Sequence, residues 1–142
     1  MKKVIFFIII FISISYSLFA HEIILGSNIN DINDFDYNNY NYLGYNCFVR
    51  INIDDNKNIN KIIYGFGFEL TEEDRERLFN NLSGLLFSKN YNLFEIDEDQ
   101  YSGYYYFRKQ ESENIICLFH WFIFQGCSNT SLFILIEYKF EK

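Results

Sequence analysis

The fold is decided by the stretch KIIYGFGFELTEEDRERLFNNLSGLLFSKN, residues 61–90. Its first ten residues alternate between apolar and other side chains, which is typical of a half-buried strand. From residue 71 the leucines recur at helical spacing instead: Leu78, Leu82, Leu85 and Leu86. Thr71 and Asp74 match a capping box, and Asn90 suits a left-handed helix terminator. The stretch therefore predicts a strand over 61–70 followed by an amphipathic helix over 71–90.

The segments around this stretch predict strands. Residues 45–54 alternate and are joined to the 61–70 strand by the turn DDNKNIN. Four apolar segments follow the helix, at 91–96, 101–109, 114–124 and 131–140, with polar connections between them. The order ββαββββ predicts a single α+β domain over residues 45–142, with an antiparallel sheet packed against one helix. The 114–124 segment is apolar on both faces, so we expect both of its faces to be covered.

The N-terminal region predicts export. Lys2 and Lys3 precede an apolar run from Val4 to Ile12, and a more mixed stretch ends at Ala20. This is the layout of a secretory signal peptide over residues 1–20, cleaved after Ala20. The protein is then periplasmic or extracellular, and residues 21–44 form an irregular arm rich in Asn, Asp and Tyr. The alternative is an uncleaved membrane anchor, because the segment from Val4 is long enough to span a bilayer.

The composition restricts the class of partner. The chain has 142 residues, of which 49% are hydrophobic, and 12 basic against 19 acidic residues give it a formal net charge of −7. This hydrophobic fraction excludes a disordered chain. The negative charge argues against nucleic acid and anionic membrane surfaces as partners, and once the signal is cleaved no stable membrane insertion is expected.

Three cysteines, Cys47, Cys117 and Cys127, are present in a chain that we expect to be exported. One disulfide and one free thiol are the natural expectation in an oxidising compartment. Cys117 and Cys127 lie at opposite ends of a predicted hairpin arm, too far apart for a disulfide. Cys47–Cys127 and Cys47–Cys117 remain as candidate pairs, with three unpaired thiols as the alternative.

The chain has only two histidines, His21 and His120. Cleavage after Ala20 would make His21 the N-terminus, where its α-amine and imidazole can chelate copper and His120 can complete the site. That arrangement is similar to the copper-binding histidine brace of some exported oxidative enzymes and copper carriers, whose folds are mostly β-sandwiches without this helix. The alternative is that His120 is a buried core residue. Asp31, Asp34 and Asp36 are candidate calcium ligands, although the framework of a calcium loop is missing.

No catalytic motif is present: the chain lacks a GxSxG nucleophile motif, a CxxC pair and a glycine-rich phosphate loop. Tyrosines are abundant, and they suit recognition surfaces because they offer a large contact area at little entropic cost. On the 101–109 strand, Tyr101 and Tyr105 share one face, and Tyr104 and Tyr106 share the other. The candidate contact residues are Tyr37, Tyr40, Tyr101, Tyr104, Tyr105 and Tyr106. The sequence thus favours a small exported non-catalytic protein that binds a protein or a carbohydrate, with tyrosines that merely fill sheet surfaces as the alternative.

Overall fold

The computed structural model describes residues 23–124 and 126–138. Within these ranges the chain is a small α+β domain, mostly antiparallel sheet with one α-helix. The predicted signal peptide, residues 1–20, lies outside the described residues. The elements are β1 (Tyr40–Tyr42), β2 (Tyr45–Ile53), β3 (Ile59–Leu70), α1 (Glu72–Ser88), β4 (Tyr91–Glu98), β5 (Ser102–Lys109), β6 (Ser112–Ile123) and β7 (Thr130–Tyr138), and a 3-10 helix at Ile29–Asp31 precedes β1.

The described strands form one sheet in the order β1-β2-β3-β7-β6-β5-β4, and every neighbouring pair is antiparallel. The chain builds one half as β1 to β3, crosses over through α1, and builds the other half from β4 inwards to β7. The last strand, β7, therefore closes the sheet by pairing with β3. A bulge between Leu93 and Glu95 interrupts the pairing of β4 with β5.

The helix begins and ends where the sequence predicts. The Thr71 hydroxyl accepts a hydrogen bond from the Asp74 N–H at 3.1 Å, and the Thr71 N–H donates to the Asp74 carboxylate at 3.0 Å. This reciprocal pair is the predicted capping box. At the other end, Asn90 adopts a left-handed conformation with φ 63°. No helix in residues 23–124 and 126–138 is long and apolar enough to cross a membrane.

The core lies between α1 and one face of the sheet. Leu78, Leu82 and Leu86 are the buried residues of the helix. The Phe79 ring lies 4.7 Å from the Tyr105 ring and 5.2 Å from the Phe119 ring, measured between centroids. Residues 23–46 cover the part of the same face that α1 does not reach: the Tyr42 ring stacks on Tyr64 at 4.0 Å with planes 7° apart, and Ile23 is buried.

The opposite face of the sheet has no such cover. On β6 the side chains that face α1, Cys117, Phe119 and Trp121, are buried, whereas Leu118, His120 and Phe122 on the other side stay partly exposed. Within the described ranges, no helix or strand packs over this second face. The expectation that both faces of the 114–124 strand are covered is therefore wrong. We call this second surface the open face.

The disulfide expectation is also wrong, because all three cysteines are free thiols. Cys47 on β2 and Cys117 on β6 both face the core, but β3 and β7 lie between their strands. Three strand spacings of about 4.8 Å separate them by about 14 Å across the sheet, and Cys117 is in register with Ile51, four residues further along β2 than Cys47. Their Cα atoms are therefore much further apart than the separation of about 7 Å that a disulfide tolerates. Cys127 lies exposed in the β6–β7 connection.

Candidate functional site

The strand register arranges the open face in rows that run across the sheet. Directly paired residues of neighbouring strands point to the same side, so each row can be followed from β2 to β4. One central row, the aromatic row, consists of Phe48, Gly65, Phe133, His120, Tyr104 and Asp97. The next, the aliphatic row, consists of Arg50, Ile63, Leu135, Leu118, Tyr106 and Glu95. Both rows are apolar in the middle and end in a charged residue at the β4 end.

Ring contacts connect the aromatic row into a continuous surface. His120 stacks on Tyr104 with centroids 4.1 Å apart, and its other neighbour, Phe122, lies at 5.3 Å. Phe122 in turn stacks on Phe133 at 5.9 Å, and the Phe48 ring meets Phe133 edge-on at 6.2 Å. Such offset and edge-to-face pairs stabilise each other beyond simple burial. The open face is therefore a pre-arranged aromatic surface.

At one end of this surface, an aromatic ring packs directly on the backbone of a glycine. Gly65 is paired with Phe48, and a Cβ atom built at Gly65 would overlap the Phe48 ring. The ring thus lies directly over the glycine, which only a residue without a side chain permits. A shallow depression of about 500 Å³ opens beside this ring, and it is lined by Phe48, Arg50, Ile63, Leu118, His120, Phe133 and Leu135.

Charged groups surround the apolar centre of the open face, and both signs occur near β4, where the Arg108 guanidinium lies 4.3 Å from the centre of the Phe94 ring. At the β2 side, the Arg50 guanidinium lies 5.6 Å from the centre of the Phe48 ring. At the β4 side, Glu95 and Asp97 are exposed acids. A third row, the polar row, lies next to the aliphatic row on the side away from the aromatic row. It contains the ion pair of Lys61 with Glu137, at 2.9 Å. An apolar centre with a polar rim is the usual anatomy of a protein interface.

His120 serves the open face as an aromatic group and not as a charge. Its ring is partly buried between neighbouring rings, and this desolvation lowers the pKa of the imidazole below its usual 6.5. The neutral form therefore predominates at neutral pH. A neutral imidazole stacks on Tyr104 without carrying an unpaired charge into an apolar surface.

The structure divides the predicted contact tyrosines among different places. Tyr104 and Tyr106 lie on the open face, and Tyr101 is 56% exposed next to the β4–β5 connection. Tyr105 points towards α1 and donates a hydrogen bond to Glu98; burial, followed by this bond, raises the pKa of its phenol. The two predicted tyrosines of the arm pack on the helix side around Phe35, with ring centroids at 4.7 Å for Tyr37 and 4.9 Å for Tyr40.

The sequence interpretation missed the phenylalanines of the open face. Phe48, Phe122 and Phe133 contact one another there and join the rings of the aromatic row. A signal for them exists in the 114–124 strand, which is apolar on both faces although only one faces the helix. Two apolar faces fit an uncovered apolar surface as well as a strand covered on both sides.

Of the candidate metal residues, His120 and the acids at positions 31, 34 and 36 lie among the described residues. Among residues 23–124 and 126–138, no three His, Cys, Asp or Glu side chains are grouped in a way that could hold a metal ion, and the acids at 31, 34 and 36 form no such group. His21 lies outside the described residues. Ile23, two residues further along the chain, is buried on the helix side, whereas His120 lies on the open face.

The open face thus combines breadth, an apolar centre and charged groups around it, features that suit contact with another macromolecule. Cys47 and Cys117, the buried thiols, face the core on the other side of the sheet, and burial raises the pKa of Cys47 to about 12. They are therefore protonated and unsuited to nucleophilic chemistry. No protein-family model, curated protein or solved structure matches this chain.

Proposed function

We propose that this chain is an exported non-catalytic protein that binds another protein through the open face of its sheet. The observation that carries the proposal is the lack of cover over the aromatic and aliphatic rows within the described residues. Monomeric soluble proteins rarely leave a contiguous apolar patch of more than a few hundred Å² exposed, and larger patches mark interaction sites.

The chemistry of the depression favours a protein partner over a carbohydrate. Its lining is mostly aliphatic and aromatic, and only Arg50 and His120 offer polar atoms. A sugar would bury hydroxyl groups against this surface without hydrogen-bond partners, which costs about 1–3 kcal/mol for each group. An apolar protein surface carries no such cost and gains from the removal of both surfaces from water.

Photo-crosslinking in the cells that produce the protein tests the binding proposal. The photoreactive residue p-benzoylphenylalanine replaces Phe124, which is 47% exposed beside Phe122 on the open face. The matched control replaces Phe87, which is 55% exposed on α1. We expect a discrete protein adduct from position 124 and none of the same mass from position 87. An identical adduct pattern at both positions, a carbohydrate adduct, or no adduct at position 124 would contradict the proposal.

Intact mass of the naturally produced protein tests the export proposal. We expect the protein in the exported fraction to begin at His21, because the small residue Ala20 fits the cleavage preference of signal peptidase. A full-length mass found in the membrane fraction would instead support an uncleaved anchor. In that case the free exported form would be abandoned, whereas the binding role of the open face would still be decided by the crosslinking.

A further inference from the structure

We infer that the partner on the open face is a second copy of this chain, related to the first by a two-fold axis that runs parallel to the strands between β6 and β7. This inference rests on the proposed function, since it names the occupant of the same surface. Three observations support it: the charges at the two ends of the aliphatic row, the leucines Leu118 and Leu135 that the axis brings together at its centre, and the area of the face.

The aliphatic row is basic at one end and acidic at the other. Arg50 on β2 begins the row and Glu95 on β4 ends it, and four strands lie between them. At about 4.8 Å per strand the two residues are roughly 24 Å apart, too far for an ion pair within one chain. Both side chains are exposed. Each is therefore available to an opposite charge on a partner.

The proposed two-fold axis pairs these ends. A rotation about an axis parallel to the strands and between β6 and β7 exchanges β2 with β4, β3 with β5, and β7 with β6. Arg50 of one copy then lies opposite Glu95 of the second copy, and the contact occurs twice because a two-fold interface is self-complementary. Leu118 of one copy lies opposite Leu135 of the other, so that apolar side chains meet at the centre.

The other two-fold arrangement is disfavoured by charge. An axis in the plane of the face but perpendicular to the strands places β4 of one copy on β4 of the other. Arg50 of each copy would then lie against β2 of the other, whose open-face side chains Phe48, Arg50 and Asn52 include no acid. The parallel axis instead gives Arg50 an opposite charge, Glu95 of the second copy. The same axis brings Lys61 opposite Arg108 in the polar row, but Lys61 is already neutralised by its ion pair with Glu137.

Shape and area agree with this arrangement. Sheets have a right-handed twist, and two copies of the same sheet have the same twist, so their faces can pack in the aligned mode of β-sandwiches. The aromatic, aliphatic and polar rows each cross six strands, and the row of Phe122 crosses β5, β6 and β7. With strands about 4.8 Å and rows about 6.8 Å apart, the face covers about 700 Å². This area lies within the range of about 600–1,000 Å² per partner of a standard stable interface.

Charge reversal combined with mixing tests the inference. In sedimentation velocity, the wild-type protein is expected to be a dimer, and Arg50→Glu and Glu95→Arg each to raise the dimer dissociation constant about tenfold or more. Each single variant places like charges at both contacts. An equimolar mixture restores two opposite-charge contacts, because residue 50 of one variant meets residue 95 of the other, and it should form a heterodimer.

The controls are charge reversals away from the open face, Lys57→Glu in the β2–β3 turn and Glu76→Arg on α1, which should leave the dimer unchanged. Far-UV circular dichroism shows that each variant is folded. A monomeric wild type, single variants that dimerise as the wild type does, or a mixture that stays monomeric would overturn the inference. If the chain is monomeric but position 124 still crosslinks to a different protein, only the dimer inference fails. If the chain is monomeric and position 124 gives no adduct at all, the proposed function fails as well.

Discussion

The imidazole of His120 lies parallel to the phenol ring of Tyr104, with ring centroids 4.1 Å apart and planes inclined by 9°. The two residues are directly paired on adjacent strands, so the contact is fixed by the register of β5 and β6. Because the stack is partly buried, the pKa of His120 is lowered, and protonation of this one residue opposes the packing of the open face.

We expect the stability of the protein to fall as the pH falls below 6.5, in part through His120. A lowered pKa in the folded state means that the unfolded chain binds more protons between the two pKa values, so the free energy of unfolding rises with pH across that window. The stabilisation that neutral His120 gives the folded protein is therefore complete above about pH 6.5 and is lost as the pH falls below that value. Urea unfolding at pH 7 and pH 5 measures it.

The variant that isolates this effect is His120→Phe, which keeps a ring but removes the titrating group. Its free energy of unfolding should fall less between pH 7 and pH 5 than that of the wild type. Tyr104→Phe keeps the stack and the histidine, and it should retain the wild-type pH dependence. Equal pH dependence in His120→Phe and the wild type would show that His120 does not contribute.

Gly65→Ala is expected to destabilise the protein by about 1–3 kcal/mol, because the added Cβ overlaps the Phe48 ring and forces it to move. Gly67→Ala is the matched control on the same strand, since a Cβ there meets nothing within 4 Å. Denaturant unfolding of both variants gives the comparison. In a Phe48→Ala background, Gly65→Ala should lower the free energy of unfolding only slightly. An equally large loss in that background would mean that the clash with Phe48 does not cause the destabilisation.

Thiol labelling should find one reactive cysteine in the folded protein and three after unfolding. Cys127 is exposed, whereas Cys47 and Cys117 are buried and desolvation raises the pKa of both thiols. Counting with a chromogenic disulfide reagent, with and without denaturant, measures the two numbers. Cys127→Ser should leave almost no reactive thiol in the folded state. Fewer than three thiols in the unfolded, unreduced protein would reveal a disulfide.

Thr71→Ala should lower the free energy of unfolding by about 1 kcal/mol, because the hydroxyl that accepts the Asp74 N–H is the cap of α1. Thr71→Ser keeps a hydroxyl at the same position and should cost clearly less. Thermal or urea unfolding followed by circular dichroism at the helix band measures both variants. Equal loss in the two variants would place the effect in the methyl group and not in the cap.

The elements with a strong local signal could be predicted from the sequence. The capping residues Thr71 and Asp74 and the terminator Asn90 act through neighbouring backbone groups, so their roles are visible in a short window. The alternation of apolar and other side chains along β2 and β3 is also visible in a short window. These patterns give the α+β class and the approximate strand bounds.

The candidate site depends on distant pairings that no local pattern specifies. The neighbours of Phe133 are His120 on β6 and Gly65 on β3, which is more than sixty residues away in the chain. The alternation of the 101–109 strand separates Tyr104 from Tyr105, but it does not tell which of them faces the helix. That choice follows from the order of the strands, and so does the separation of Cys47 from Cys117.

The outer strand β4 has a consequence for how chains of this protein meet. It ends the described sheet, and an uncovered strand at such a position is a template onto which further strands can be added. Here Glu95, Asp97 and Glu98 are exposed along it, and the bulge near Phe94 disturbs its regular spacing. Two β4 strands therefore repel each other through their like charges, and the bulge prevents them from pairing in a regular ladder. This edge of the sheet is thereby protected against the addition of further strands.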